Sequence, residues 1–522
     1  MRKYVILFLI FIVSGFVVYS NVLGDFFLSD DFDLIHSVSN FGPFRMWFRG
    51  HGGFFRPVIM LSLYADYKLW GLNPYGYHIT NILVHSCNAF FVYVIALFLT
   101  DRPYLTCFHK MAIPVFSGFI FLTLPSHTEA VSWISGRTDL FATFFCLLSF
   151  IFYLMYRANN KIYYIIISLL LFFVALSSKE SVIIYPLIIF SCELYYYLTE
   201  CKKSFLLPFL YGIVFILYLL IRYVQLGVFI GGYGAKVHCN FTFDCFKRLI
   251  SYPCRVFLPP VSETYWSLAL IAIMTLIFLL SFISILHNRA MIKFYLFLIF
   301  ASIISILPVF NLGVSYIDTQ GTRLLYLSSC FMSIYLSCVI LSLKINRTVI
   351  IMFMVAAVLF SGASLYCTDC NWHTASCISR NILFDLTALN LPGRLFIPGL
   401  PDNFYGAYIY RNGLHNAIAL FRNDIDTKKI KIILFNPLYN SDDKITIFPV
   451  QAPNIYRVEL SDKKANFMNG NINNIESTFF NDDYIVFDFK KNSFLLELKN
   501  VNDKDRLAVY SSGRLIMVKS EE

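Results

Sequence analysis

The sequence predicts a mainly α-helical, polytopic membrane protein with about eleven transmembrane helices, followed by an extracytoplasmic C-terminal β-rich domain. Three observations predict it. The 522 residues are 58% hydrophobic and 14% charged, with a mean hydropathy of +0.64, whereas soluble domains carry about a quarter charged residues. The apolar residues gather in runs close to the ~20 residues a helix needs to cross hydrocarbon, and few charges interrupt them. From about Cys367 onward the runs become short and alternating, separated by Asn, Asp, Gly and Pro. The chain therefore divides into a transmembrane part, 1–366, and a C-terminal domain, 367–522.

Taken in order, the spans fall at Tyr4–Leu23, Tyr77–Leu99, Met111–Leu124, Leu140–Tyr156, Ile162–Ser177, Val182–Leu198, Phe205–Val224, Trp266–Leu286, Phe294–Val309, Leu324–Leu343 and Thr348–Tyr366. The first is read as an uncleaved anchor, because its apolar run exceeds a signal-peptide core and no small-x-small cleavage site follows. With Arg2 and Lys3 inside, alternate connections carry Arg102 and Lys110, Arg157 and Lys161, Lys202 and Lys203, Arg289 and Lys293, and Lys344 and Arg347. This is the positive-inside pattern, and it sends the C-terminal part to the outer side. The net charge of +10 sits largely at these loops, so it calls for a lipid surface and no nucleic acid.

Between the first two spans lies an outer segment, Gly24 to Gly76. Its continuation from Arg56 to Trp70 is too mixed to span and is expected along the interface. The β-rich part shows alternating runs at Lys429–Phe435, Lys444–Val450, Tyr484–Phe489, Ser493–Leu498 and Arg506–Tyr510. Leu400–Leu414 is punctuated by Gly and Asn and reads as turns or as an aromatic substrate contact. The cysteines Cys239, Cys245 and Cys254, and Cys367, Cys370 and Cys377, fall on the oxidising side, which permits disulfides.

Polar residues at the outer helix ends carry the candidate chemistry. Asp30, Asp31 and Asp33 crowd carboxylates just beyond the first span, where each raises its neighbour's pKa unless a cation or donor offsets it. That arrangement suits a general base, a metal ligand or a helix N-cap. His78, Asn81, His85 and Asn88 recur at spacings of three and four and share one helix face, which suits a polar cavity or interhelical hydrogen bonds. The segment PSHTEAVSWISGRTDL, Pro125 to Leu140, concentrates His127, Glu129, Arg137 and Asp139 at an outer turn. SKES places Lys179 and Glu180 at another, and TRLLYLSS places Arg323 at a third. Cations on the side opposite the basic loops either snorkel to headgroups or neutralise a phosphate.

Together SDDF, FFRPV with Arg56, YHITNILVH, PSHTEAVSWISGRTDL, SKES and TRLLYLSS resemble the C-superfamily (GT-C) membrane glycosyltransferases. Within these the resemblance is to the membrane half of the transmembrane and tetratricopeptide-repeat O-mannosyltransferases and their bacterial relatives, over roughly Met1 to Tyr366. Two features depart: tetratricopeptide repeats are not visible after the helices, and Thr322 precedes Arg323 where the repeat-bearing proteins carry Glu. The resemblance implies a polyprenyl-phosphate-linked sugar donor, an acceptor hydroxyl on protein, lipid A or cell-surface glycan, and inversion at the sugar carbon. It implies Asp31 or Asp30 as catalytic base, with His127 and Glu129 orienting the base or acceptor. It implies a donor phosphate met by Lys179 and Arg323, with Arg56, His78, His85, Arg137, Asp139 and Glu180 as further substrate-binding residues. A divalent metal ion, if used, would fall to Asp30, Asp31, His127 or Glu129. The bacterial cytoplasmic membrane is the expected location. A transporter or flippase, the alternative, should gather polar groups at the midplane within inverted repeats, and neither is visible.

Overall fold

The computed structural model describes residues 2–518 except 43–44, 46–52, 104, 201–205, 230–231, 233–242, 262, 451–453 and 469–478; the side chains of 243–246, 249–250, 263–264 and 479–480 are likewise undescribed. Lys202, Lys203, Phe205, Cys239 and the Cys245 side chain therefore lie outside the described residues. The chain forms two compact units. One comprises Met1–Leu23 and Phe41–Asp369, the other Gly24–Asn40 and Cys370–Glu522.

The first unit is a helical bundle. Its helices are α1 (Arg2–Val18), α3 (Pro57–Trp70), α4 (Pro74–Thr100), α5 (Cys107–Thr123), α6 (Arg137–Asn159), α7 (Ile162–Leu176), α8 (Tyr185–Glu200), α9 (Leu206–Leu226), α10 (Phe243–Arg255), α11 (Glu263–His287), α12 (Met291–Ile306), α13 (Tyr326–Leu341) and the first part of α14 (Arg347–Ala388). Helix α2 (Asp30–Asn40) belongs to the second unit. Among the described residues seven helices are long and apolar enough to cross a membrane. An eighth candidate joins α5 to Pro125–Val131 across a 51° bend, while α7 and α12 are shorter apolar helices. Each expected span falls on one of these helices or on α1.

Helix α4 organises the bundle, packing against α1, α5 and α6. Asn73 caps it by accepting the Tyr75 amide, and Pro74 starts it where a missing N–H costs nothing. Asn81, His85, Asn88, Val92 and Leu99 lie on its buried face at helical spacing. Helix α6 ends on Asn160, whose left-handed φ of 53° lets its amide return to the Tyr156 carbonyl at 2.7 Å. Helix α3, the stretch expected along the interface, turns Ile59, Met60, Leu63 and Asp66 inward.

Helix α14 does not stop near Tyr366, where the eleventh span was expected to end, but continues to Ala388. Trp372, Ala375, Ile378, Ile382, Leu383 and Leu386 are buried at spacings of three and four, so an amphipathic helix follows the apolar one without a break. The change in composition marks a change of surroundings for the helix instead of its end. Cys367 and Cys377 are exposed on it, and Cys254 is a buried free thiol.

The second unit carries two five-stranded sheets. In one the order is β10 (Arg514–Met517), β9 (Arg506–Ser511), β1 (Leu395–Phe404), β2 (Ala407–Tyr408), and β3 (Ile430–Leu438) also pairs with β1. The other runs β4 (Ile445–Pro449), β5 (Ile455–Leu460), β8 (Ser493–Leu498), β7 (Tyr484–Lys490), β6 (Phe479–Phe480). Strand β1 is buried along its whole length and lies parallel to β3 and β9. Its second half falls in the stretch from Leu400 whose Gly and Asn read as turns, and its prolines, Pro398 and Pro401, donate no ladder hydrogen bond. A register shift between Pro401 and Asn403 accommodates them.

Candidate functional site

The turn between α5 and α6 folds as short helical pieces, Pro125–His127, Thr128–Val131 and Ile134–Gly136, all buried. Its backbone is held from α4. The Asn81 amide donates to the Val131 and Trp133 carbonyls at 3.1 and 3.2 Å, and the Asn88 amide to the Leu140 carbonyl at 3.1 Å. Gly136 is required by close approach, because a Cβ there would lie 2.4 Å from the Glu129 carbonyl oxygen. The interhelical reading of the α4 polar stripe thus holds for Asn81 and Asn88. His85 extends it, with Nδ1 at 2.6 Å from the Tyr326 hydroxyl and Nε2 at 3.1 Å from the Leu122 carbonyl. His127 Nε2 meets the Ser329 hydroxyl at 2.8 Å, and both His78 and His127 are buried. His85 thus ties α4, and His127 the turn, to α13.

The fixed turn presents its acids to cations from two distant segments. Glu129 accepts the Arg323 amide and Nη1, both at 2.9 Å. Lys179 Nζ donates to both Asp139 oxygens at 2.6 Å, and Arg323 Nε stands 3.8 Å from Asp139 Oδ2. Arg323 also lies over the Trp133 ring at 4.7 Å. Lys179 and Arg323 therefore converge on one carboxylate, in a network of two acids and two cations. Lys179 is 2% exposed and Arg323 20%, so Arg323 is the accessible cation.

Other residues singled out in the sequence stand apart from this network. Arg137 donates to Asp66 at 2.7 Å and to the Tyr77 carbonyl at 3.2 Å. Arg56 forms a two-pronged pair with Glu180, at 3.0 and 2.6 Å, and stacks 4.0 Å over Phe54. Asp66 was missed. Its signal is a carboxylate on the buried face of an otherwise apolar helix, which demands a cation.

Asp30 and Asp31 belong to the second unit, where they open α2 beside the stretch from Leu400 to Leu414. The Ser29 amide donates to the Ile409 carbonyl at 2.9 Å, and the Asn412 amide to the Ser29 hydroxyl at 3.2 Å. The Asn412 side chain donates to Asp30 at 2.8 Å, and Asn416 to Asp33 at 2.7 Å. Asp31 is buried and accepts the Leu28 amide at 2.9 Å, which ties the first turn of α2 back to the residues before it. Arg411 is held by Asp402 through two bonds of 2.9 and 2.6 Å. Gly413, at φ 86°, passes so close that a Cβ would lie 2.4 Å from the Ser29 carbonyl oxygen. The cleft beside Asp33 measures about 810 Å³ and is lined by Asn412, His415, Lys428, Phe435 and Tyr484.

Asp25, on the same unit, is held near 6 because burial penalises its charged form, an effect partly offset by His373 at 2.7 Å. Among the described residues no three His, Cys, Asp or Glu side chains are gathered as a metal site needs. Glu129 is engaged by Arg323 and His127 by Ser329.

No protein-family model matches the chain. A protein O-mannosyl-transferase of Xenopus laevis is 34% identical over 154 residues, covering 27% of this chain and 18% of that protein. One from Drosophila melanogaster is 28% identical over 193 residues, 34% of this chain and 22% of that protein. A human one is 32% identical over 159 residues, 27% and 18% respectively. The aligned part thus spans about a fifth of the length of these relatives. Among solved structures, ArnT from Cupriavidus metallidurans bound to undecaprenyl phosphate superimposes at a TM-score of 0.43 with 10% identity, over 82% of this chain and 92% of that one. The chain is a multi-helix protein similar in part of its sequence to the protein O-mannosyl-transferases.

Proposed function

We propose that the protein is a membrane glycosyltransferase that moves a sugar from a polyprenyl-phosphate-linked donor to an acceptor hydroxyl on the outer face of a bacterial cytoplasmic membrane. The observation that carries this reading is the convergence of Lys179 and Arg323 on Asp139 beside Glu129. Two cations held in place by buried carboxylates form a preorganised site for an anion, and preorganised charge is the largest aid to a departing phosphate. The relatives named as protein O-mannosyl-transferases favour mannose as the sugar and protein as the acceptor.

In the reaction the acceptor oxygen attacks the sugar's anomeric carbon as the bond from that carbon to the phosphate oxygen breaks. The electron pair leaves with the phosphate, where Arg323 stabilises it and Lys179 supports the field. The acceptor's proton passes to a carboxylate of the first outer segment. Asp30 suits this better than Asp31, because Asp31 is committed to the Leu28 amide while the Asp30 carboxylate is only oriented, by Asn412. Base catalysis of this kind contributes about 10²–10⁴-fold. The cleft beside Asp33 has an aromatic and amide lining suited to an acceptor.

The test is sugar transfer in proteoliposomes supplied with a polyprenyl-phosphate-linked mannose. Arg323→Ala should lower donor use ~10- to 100-fold, as loss of a charge-assisted bond of ~1.5–3 kcal/mol implies, and Arg323→Lys should recover part of it. Asp30→Asn should abolish transfer while donor binding persists. Full transfer by the Asp30→Asn, Asp31→Asn double variant would remove the base, and parental donor use by Arg323→Ala would remove the phosphate site.

A further inference from the structure

The first unit holds a second cleft, of about 830 Å³, at the far end of α6. Asp139 lies in the first turn of that helix and Arg157 in the last, about 27 Å away at 1.5 Å per residue. The proposed transfer site and this cleft are therefore separate. We propose that the cleft binds a zwitterionic phospholipid whose headgroup carries a phosphate and a primary ammonium, a function beyond the transfer reaction.

The cleft is graded along its length. Its apolar wall is built by Phe90, Val94 and Phe98 of α4 and by Ile151 and Met155 of α6. Phe90 to Phe98 covers two helical turns, about 12 Å, enough to lie along part of an acyl chain. Next come two arginines drawn to one ring, with the Arg157 guanidinium 4.3 Å and that of Arg102 5.0 Å from the Tyr196 centroid. Their side chains are only 11% and 10% exposed. Arg157 donates to the buried Glu193 at 3.0 Å, and Arg102 pairs with Glu200. A guanidinium has five N–H donors, so a carboxylate partner leaves each one able to meet a phosphate as well. At the mouth stands Asp101, 77% exposed, with Lys110 at 2.7 Å.

Apolar wall, buried guanidiniums and exposed carboxylate follow the order of acyl chain, phosphate and ammonium in the lipid. The charges also decide between headgroups. Arg102 and Arg157 offer N–H donors to a phosphate and Asp101 offers a carboxylate to an ammonium, so a headgroup carrying both charges meets both. A phosphatidylglycerol offers Asp101 no ammonium and brings its own negative charge towards that carboxylate. A choline headgroup has no N–H to donate to that carboxylate.

The test uses the purified full-length protein in nanodiscs of equimolar phosphatidylethanolamine, phosphatidylcholine and phosphatidylglycerol, extracted into detergent, with retained lipid quantified by mass spectrometry. Phosphatidylethanolamine should be retained about fivefold over the other two, the selectivity an accessible ion pair supports. Asp101→Asn, at an exposed position that leaves the fold alone, should equalise phosphatidylethanolamine and phosphatidylcholine without lowering total retained phospholipid. Arg157→Gln combined with Glu193→Gln, which leaves no buried carboxylate unpaired, should lower total retention ~10-fold or more. Retention in bulk proportions, preference for phosphatidylglycerol, or an unchanged ratio in Asp101→Asn would each overturn the proposal.

Discussion

The Arg137–Asp66 pair separates a structural lock from a substrate contact. Arg137 is fully buried and Asp66 is 6% exposed, with their charged atoms 2.7 Å apart. Arg137 Nη2 also donates to the Tyr77 carbonyl, and Asp66 accepts the Thr80 hydroxyl at 2.8 Å. Asp66→Leu would strand a guanidinium in the bundle, and breaking a buried pair from one side costs ~3–5 kcal/mol. Arg137→Met would strand the carboxylate at similar cost. The double variant removes both charges and should return to within ~1–2 kcal/mol of the parent, because well-packed apolar replacements of buried pairs are close to neutral. Stability is read from unfolding of the detergent-purified proteins followed by tryptophan fluorescence, alongside sugar transfer. A lock predicts that stability and transfer fall together in the single variants and recover together in the double. Parental stability with no transfer in Arg137→Met would refute this reasoning and make Arg137 a substrate contact.

Three further outcomes are expected. Asp25 has a raised pKa of about 6, so the folded second unit binds its proton more tightly than the unfolded chain does. Its contribution is full below the ordinary carboxylate value near 4 and is lost as pH rises through about 6; unfolding measured from pH 7 to 5 should show a stabilising trend that Asp25→Asn removes. Gly413→Ala should destabilise the second unit by ~1 kcal/mol or more, through both its positive φ and the 2.4 Å approach to the Ser29 carbonyl, and proteolysis near residue 413 should quicken. Reporter fusions after Lys202 and Asn440 should show opposite sidedness, cytoplasmic for the first, and equal sidedness would remove the expected orientation.

The helices of the first unit were legible because crossing hydrocarbon imposes a local rule: about twenty apolar residues must satisfy their own backbone in sequence. The strands β3, β4, β7, β8 and β9 were legible for a similar reason, since a half-buried strand alternates within a few residues. Strand β1 was hidden by the Gly and Asn punctuation of the stretch from Leu400, and the extension of α14 by a change in polarity that altered the surroundings of the helix and not its hydrogen bonds.

The residue types of the candidate site could likewise be read from their chemistry, because cations and acids at outer helix ends need partners. Their pairing could not. Glu129 meets Arg323 across 194 positions, Arg137 meets Asp66 across 71, and Asp30 meets Asn412 across 382. Sequence fixes which groups must be neutralised when buried, since an unpaired charge is costly at any position in a bundle. Which acid neutralises which cation depends on the packing of helices distant in the chain, and only the tertiary structure decided that Lys179 and Arg323 share Asp139 while Arg137 is turned to Asp66.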